Sequence, residues 1–158
     1  MTTSKDAKKQ LLTERIRAFC CSQRFAVLAT ASDSQPYTTL VSFAESPDLR
    51  RLFFATKRNT QKYMNLRKNQ RVALLIDNRQ NNPSDLAHAI TVTALGIAQE
   101  ETMQVESVKA LLRSRHPTLN GFLADPTCAV FAVIVDVYQV VERFEQVQVL
   151  SMRDPLGH

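Results

Sequence analysis

The stretch LFFATKRNTQKYMNLRKNQRVALLI, residues 52–76, decides how this chain is read. Its two ends, LFFAT (52–56) and VALLI (72–76), are short apolar runs that read as strands. Between them, residues 60–69 (TQKYMNLRKN) have helical spacing, with Met64 and Leu66 near one side, and Thr60 stands where an N-cap belongs. Residues 49–76 contain no Asp or Glu, yet hold Arg50, Arg51, Lys57, Arg58, Lys62, Arg67, Lys68 and Arg71. The chain carries a net charge of +5, and this one segment accounts for the whole excess of positive over negative charge. Uncompensated cations point to an anion: a phosphorylated cofactor, nucleic acid, or only solvent.

The segment Thr56-Lys57-Arg58-Asn59-Thr60-Gln61-Lys62 lies where a strand ends and a helix begins. The first helical turn carries Lys62 and no acid, although a helix N-terminus already bears roughly half a positive charge. Two readings follow. A bound phosphate would resolve the repulsion, because backbone N–H groups, hydroxyls and cations all favour an oxyanion there. Alternatively the long side chains extend into solvent, where the penalty is roughly a few tenths of a kcal/mol. Neither GxxxxGK[ST] nor GxGxxG occurs, and the chain has only three glycines. A nucleic-acid surface over residues 50–71 is the weaker alternative: such surfaces use aromatic residues among the cations, and only Tyr63 interleaves here.

Residues 4–21 read as a helix with Leu12, Ile16 and Phe19 on one face, and Thr3 with Asp6 forms a capping-box pattern. Residues 25–30 and 37–43 read as the arms of a hairpin around the turn Asp33-Ser34-Gln35-Pro36. After the polar loop 79–85, residues 90–99 form a long strand in which Gly96 marks a bulge. Residues 105–115 are helical, His116-Pro117 ends that helix, and 119–124 offer one more turn. Residues 128–141 form a long apolar strand, and 147–152 a short final one. Short turns favour antiparallel pairing. The run CAVFAVIVDVYQVV is apolar on both faces. Either a partner subunit or the chain's own helices cover its second face.

The length of 158 residues favours one domain, with its core at about residues 11–152. The longest apolar run, residues 128–135, is too short to span a membrane. The N-terminal MTTSKDAKKQ has no apolar signal core, so a cytoplasmic location is expected. Cys20, Cys21 and Cys128 form neither a disulfide framework nor a metal-ligand spacing, and no metal is expected. His88, His116 and His158 are scattered, and His116 reads as a helix-end residue.

In order and spacing, these segments resemble the pyridoxamine 5′-phosphate oxidase-like flavoproteins over roughly residues 11–141. FAVLAT, a turn and QPYTTLVSF resemble the first hairpin of that family. The stretch LFFATKRNTQKYMNLRKNQRVALLI is similar to its most characteristic segment: a strand ending in threonine, a Ser/Thr-x-Lys and an Asn-x-Arg-Val strand. ITVTALGIAQ resembles the next strand. The resemblance implies a mainly β, six-stranded antiparallel split barrel of Greek-key type with flanking α-helices. It implies a homodimer with two FMN sites at the interface. By position, Thr56, Thr60, Gln61 and Lys62 would hold the FMN phosphate and ribityl region, and Thr39, Leu40, Val41 and Ser42 would line the ring. Lys57 and Arg58 join them on the charge argument.

The sequence also departs from the family. Thr39 and Ala44 stand where the oxidases carry an arginine and a lysine, and Ala55 where they carry an aromatic residue. The oxidases' Trp-Gly-Gly-x-Arg-Leu substrate segment has no counterpart here. The expectation is therefore an FMN-dependent oxidoreductase acting on a small-molecule redox substrate other than pyridoxamine phosphate, with NADH or NADPH as a candidate reductant. The same fold carrying flavin, a deazaflavin or haem without catalysis is the alternative. No residue stands out as general acid or base; Tyr37, Asp77 and His88 are candidates by type only.

Overall fold

The computed structural model describes residues 3–154; His158 lies outside them. Helix α1 (Ser4–Ser22) leads into strands β1 (Phe25–Ser32), β2 (Gln35–Glu45) and β3 (Arg51–Lys57), helix α2 (Gln61–Lys68) and strand β4 (Arg71–Asp77). A short helix α3 (Asp85–His88), strand β5 (Ile90–Glu100), helix α4 (Val105–Arg115), a 3₁₀ turn, helix α5 (Asn120–Ala124) and strands β6 (Cys128–Glu142) and β7 (Gln146–Ser151) follow. The strands lie in the order β3-β2-β1-β4-β5-β6-β7, all neighbours antiparallel, and β3 also pairs with β6. That last pairing closes six strands into the expected split barrel, and β7 extends the sheet beyond it.

Local chemistry explains most element ends. The Thr3–Asp6 capping box forms. Asp33 and Ser34 adopt positive φ, so the first hairpin turn is tighter than expected and Gln35 and Pro36 already belong to β2. The loop expected over 79–85 ends in α3, where the Asp85 carboxylate accepts the N–H groups of Gln80, Asn81 and Asn82. Leu66 is buried under α2, whereas Met64 is 55% exposed and faces away, correcting the shared side expected for the two.

Strand β6 answers the question its two apolar faces raised. Ala129, Phe131, Val133 and Val135 point into the barrel core. Cys128, Val130 and Ala132 point outward and join Ala44, Phe53, Val108, Leu112 and Leu123 in a second core beneath α4 and α5. The chain's own helices therefore cover this half of the strand. The bulge expected at Gly96 of β5 lies instead on the facing strand, at Asp136 of β6: Leu95 faces Val137 and Gly96 faces Val135, so the extra residue belongs to β6. The alternation flips, so that Tyr138 and Val140 point inward beyond it. The bulge also marks where β6 exchanges β3 for β7 as its neighbour. Gly96 is required by close approach, since a Cβ there would lie 2.9 Å from the Ile134 carbonyl carbon. No helix among the described residues is long and apolar enough to cross a membrane.

Candidate functional site

The β3–α2 junction is a closed hydroxyl network. Thr56 is buried, and its hydroxyl lies 2.8 Å from that of Thr60. Thr60 is the N-cap of α2: its Oγ1 accepts the Tyr63 N–H at 3.3 Å and donates to the Lys57 carbonyl at 2.9 Å. Both hydroxyls are thus used inside the protein. What the first turn leaves without a protein acceptor, among the described residues, is the pair of N–H groups of Gln61 and Lys62.

The three cations of this junction are held differently. Lys57 reaches Asp125 at 3.4 Å and lies over the Phe122 ring. Arg58 pairs with Glu100 at 3.6 Å and donates to the carbonyls of Pro126 and Cys128, each at 3.3 Å. Lys62 has no carboxylate within 4.0 Å among the described residues and is partly buried. Burial pushes its pKa below the usual lysine value, because the ammonium loses water without gaining an anion.

A buried amide chain, not foreseen from the sequence, positions this junction. Gln61 donates from Nε2 to Asn65 Oδ1 at 2.8 Å, and Asn65 donates from Nδ2 to the buried Thr30 hydroxyl at 3.0 Å. Thr30 faces Tyr37 across the β1–β2 hairpin. Helix α2 is therefore tied to the hairpin two residues from Thr39. Tyr63 meets Phe131 edge-on below it, and Phe131 stacks on Phe54.

Strand β2 supplies the other half. It pairs with β1 along residues 35–42, but with β3 only at Phe43, Ala44 and Glu45. Beyond that point the two strands diverge, and one edge of β2 has no strand partner among the described residues. The Phe43 N–H bonds to Arg24 on the β1 side at 3.4 Å. Backbone groups alternate between edges in an antiparallel strand, so those of Thr38, Leu40 and Ser42 face the split. The side chain of Val41 is buried in the barrel, Leu40 is 64% exposed on the outer face, and Thr39 and Ser42 are half-buried. A cleft of about 380 Å³ beside Leu40, lined by Arg24, Phe25, Val27, Leu75 and Asp77, does not include Thr56, Thr60, Gln61 or Lys62. The structure brings the two groups of expected site residues to the two sides of one split without enclosing them in a single pocket.

Sequence and structure comparison places this arrangement. Residues 12–147 match the family described as pyridoxamine 5′-phosphate oxidase. The chain belongs to the pyridoxamine 5′-phosphate oxidase-like family. Among curated proteins, none matches the sequence. Among solved structures, a haem binding protein from Mycobacterium smegmatis superposes with a TM-score of 0.78 at 16% identity, covering 88% of this chain and 57% of that one. The chain therefore spans just over half the length of that protein. An FAD-binding protein from Mesorhizobium loti gives 0.65 at 17% identity over 80% and 90% of the two chains. General Stress Protein 26 from Bacillus anthracis str. Sterne gives 0.70 at 19% identity over 89% and 98%. At these identities the likeness is one of fold.

Within the pyridoxamine 5′-phosphate oxidase-like frame, the departures gain a structural meaning. Ala44, at the place of the oxidases' lysine, is fully buried in the second core under α4, where no cation fits. The candidates by type stay apart: Asp77 pairs with Arg79 at 3.1 Å, His88 is exposed at the end of α3, and Tyr37 is exposed on β2. His116 ends α4, and its Nε2 lies 2.7 Å from the Phe43 carbonyl, a structural tie. Arg115 beside it has no sequence signature, yet it holds Glu45 at 2.7 Å and the carbonyls of Cys20, Cys21 and Gln23.

Proposed function

We propose that this protein is a cytoplasmic homodimer that binds FMN across the split between β2 and β3 and acts as an FMN-dependent oxidoreductase. The observation that carries the reading is the first turn of α2: among the described residues, Lys62 there is partly buried without a carboxylate partner, and the N–H groups of Gln61 and Lys62 have no protein acceptor. An oxyanion would complete all three. The residues present fit a phosphate monoester on this test.

In this reading Gln61 and Lys62 bind the phosphate through their backbone, and the Lys62 ammonium balances its charge. Thr56 and Thr60 hold that turn in shape. Asn65 and Thr30 fix it relative to the hairpin. The backbone of Leu40 and Ser42 aligns the ring edge, as befits strand positions whose side chains alternate away from the split. FMN, when bound, would supply hydride or electron transfer between a reductant such as NADH or NADPH and a small-molecule acceptor. Lys57 and Arg58 are spent on Asp125 and Glu100, so they shape the loop and contribute only long-range charge. With Thr39 and Ala44 offering no cations on β2, flavin is held chiefly from the α2 side.

The outer face of the barrel supports a second copy. Val27, Ala29, Leu40, Ala73, Leu75 and Leu95 share this face through the registers of β1, β2, β4 and β5, and the second core places α4 and α5 elsewhere. An apolar sheet face of this kind suits an isologous interface. Nucleic acid is not proposed, because Lys57 and Arg58 are internally paired and Tyr63 packs against Phe131.

The test is the visible spectrum of the purified protein with and without added FMN. A flavin spectrum that is retained through gel filtration and bleaches with NADH or NADPH supports the proposal. A Soret band on adding haem, with no flavin retained, would replace it by haem binding, and retention of neither would overturn it.

A further inference from the structure

At the far end of the sheet, β7 is an edge strand. It pairs with β6 on one side and with no strand on the other among the described residues. The Met152 N–H donates to Asp136 of β6 at 2.8 Å, so by alternation the N–H and C=O groups of Val147, Val149 and Ser151 face outward. The strand, QVQVLS, carries none of the usual protection of an edge: no charge, no proline, no bulge. Val147 and Val149 are also exposed on the outer face, at 60% and 57%.

Helix α1 runs beside this edge and leaves a groove of about 640 Å³ between them, with Leu12 and Leu150 in its floor. Lys5, Lys8 and Lys9 line it from the helix side. Among the described residues, the one carboxylate lining the groove is that of Asp6, which is committed to the Thr3 capping box. The Arg153 guanidinium at the groove's end is paired with Asp136 at 3.3 Å. The groove therefore combines three outward backbone rungs, an apolar floor and a net positive rim.

We propose that this groove takes an acidic, extended peptide segment of a partner protein by strand addition to β7. Main-chain bonds to Val147, Val149 and Ser151 supply the pairing, and Lys5, Lys8 and Lys9 select carboxylates on the added strand. A second copy of this chain would bring its own three lysines into the same place, so charge disfavours self-pairing. The site lies apart from the β2–β3 split and does not depend on flavin.

A fluorescein-labelled hexapeptide of alternating Glu and Val is the probe, followed by anisotropy with the full chain. Binding is expected, and it should weaken when salt is raised from about 50 mM to about 500 mM. A Lys-Val peptide of the same pattern should not bind. Val149→Pro removes one outward N–H without touching the β6 ladder, and is expected to weaken binding about fivefold to tenfold. The triple change Lys5→Glu, Lys8→Glu, Lys9→Glu, at exposed positions that leave the fold alone, should abolish it. Equal affinity for the Lys-Val peptide would overturn the proposal. So would binding unchanged in both variants, concentration-dependent self-association through β7, or capture by anionic lipid vesicles without peptide binding.

Discussion

The Thr56 and Thr60 hydroxyls meet at 2.8 Å, joining the end of β3 to the N-cap of α2. This contact turns a basic loop into a fixed corner. With the bonds from Thr60 to Lys57 and Tyr63, it leaves the backbone of residues 61 and 62 as the part of the turn that can receive an anion.

Thr60→Ala removes both the cap and the hydroxyl pair. Capping losses of this kind cost about 1–2 kcal/mol, so urea unfolding should shift by that amount, while gel filtration shows the dimer retained. Flavin content should fall at the same time. Undiminished flavin with the expected loss of stability would separate the cap from the cofactor site.

Lys62 gives a pH dependence with a definite sign. Its folded pKa lies below that of the free side chain, so the unfolded chain binds more protons in the window between the two values. The small cost of the buried ammonium is present below the folded pKa and is relieved as pH rises through it. Anion binding acts the other way, by raising the pKa. FMN affinity should therefore improve as the phosphate loses its second proton near about pH 6, hold level, and fall again on the alkaline side before the usual lysine value is reached. Fluorescence titration of Lys62→Met should show weaker binding with the alkaline limb gone and the phosphate limb kept.

Arg115→Met is expected to be the most destabilising of these changes. The Glu45 side chain is 11% exposed and relies on the guanidinium, which also satisfies three carbonyls at the end of α1. Stranding a buried carboxylate costs about 3–5 kcal/mol. Denaturant unfolding should show a loss of this size, and Glu45→Gln in the Arg115→Met background should recover part of it.

Gly96→Ala tests the bulge. A methyl group at this position meets backbone atoms of Ile134 and Val135, which cannot swing aside. The β5–β6 pairing would have to part, at a cost of about 1–3 kcal/mol. A melting temperature equal to that of the parent would show that β5 and β6 do not approach closely at Gly96.

Much of the architecture was legible in the sequence because its signals are local. Apolar runs of strand length, the Thr3–Asp6 and Thr60 caps, the glycine at the bulge and the break at His116-Pro117 each act over a few residues. They recur in the structure with shifts of one or two positions at element ends. The Lys62 corner was legible for the same reason. The charge balance of residues 49–76 is not local: Asp154, Asp125 and Glu100 come from other parts of the chain to meet Arg50, Lys57 and Arg58.

From its own order the chain determined the strands, the helices between them and the capped β3–α2 corner, since hydrogen-bond periodicity and capping depend on near neighbours. Only the tertiary structure decided which cations stay unpaired, that α4 and α5 cover the outer face of β6 over residues 128–132, and that Thr30, Asn65 and Gln61 tie the corner to the hairpin. Coulomb attraction and packing act through space, and residues 35 or 68 positions apart carry no mark of being neighbours.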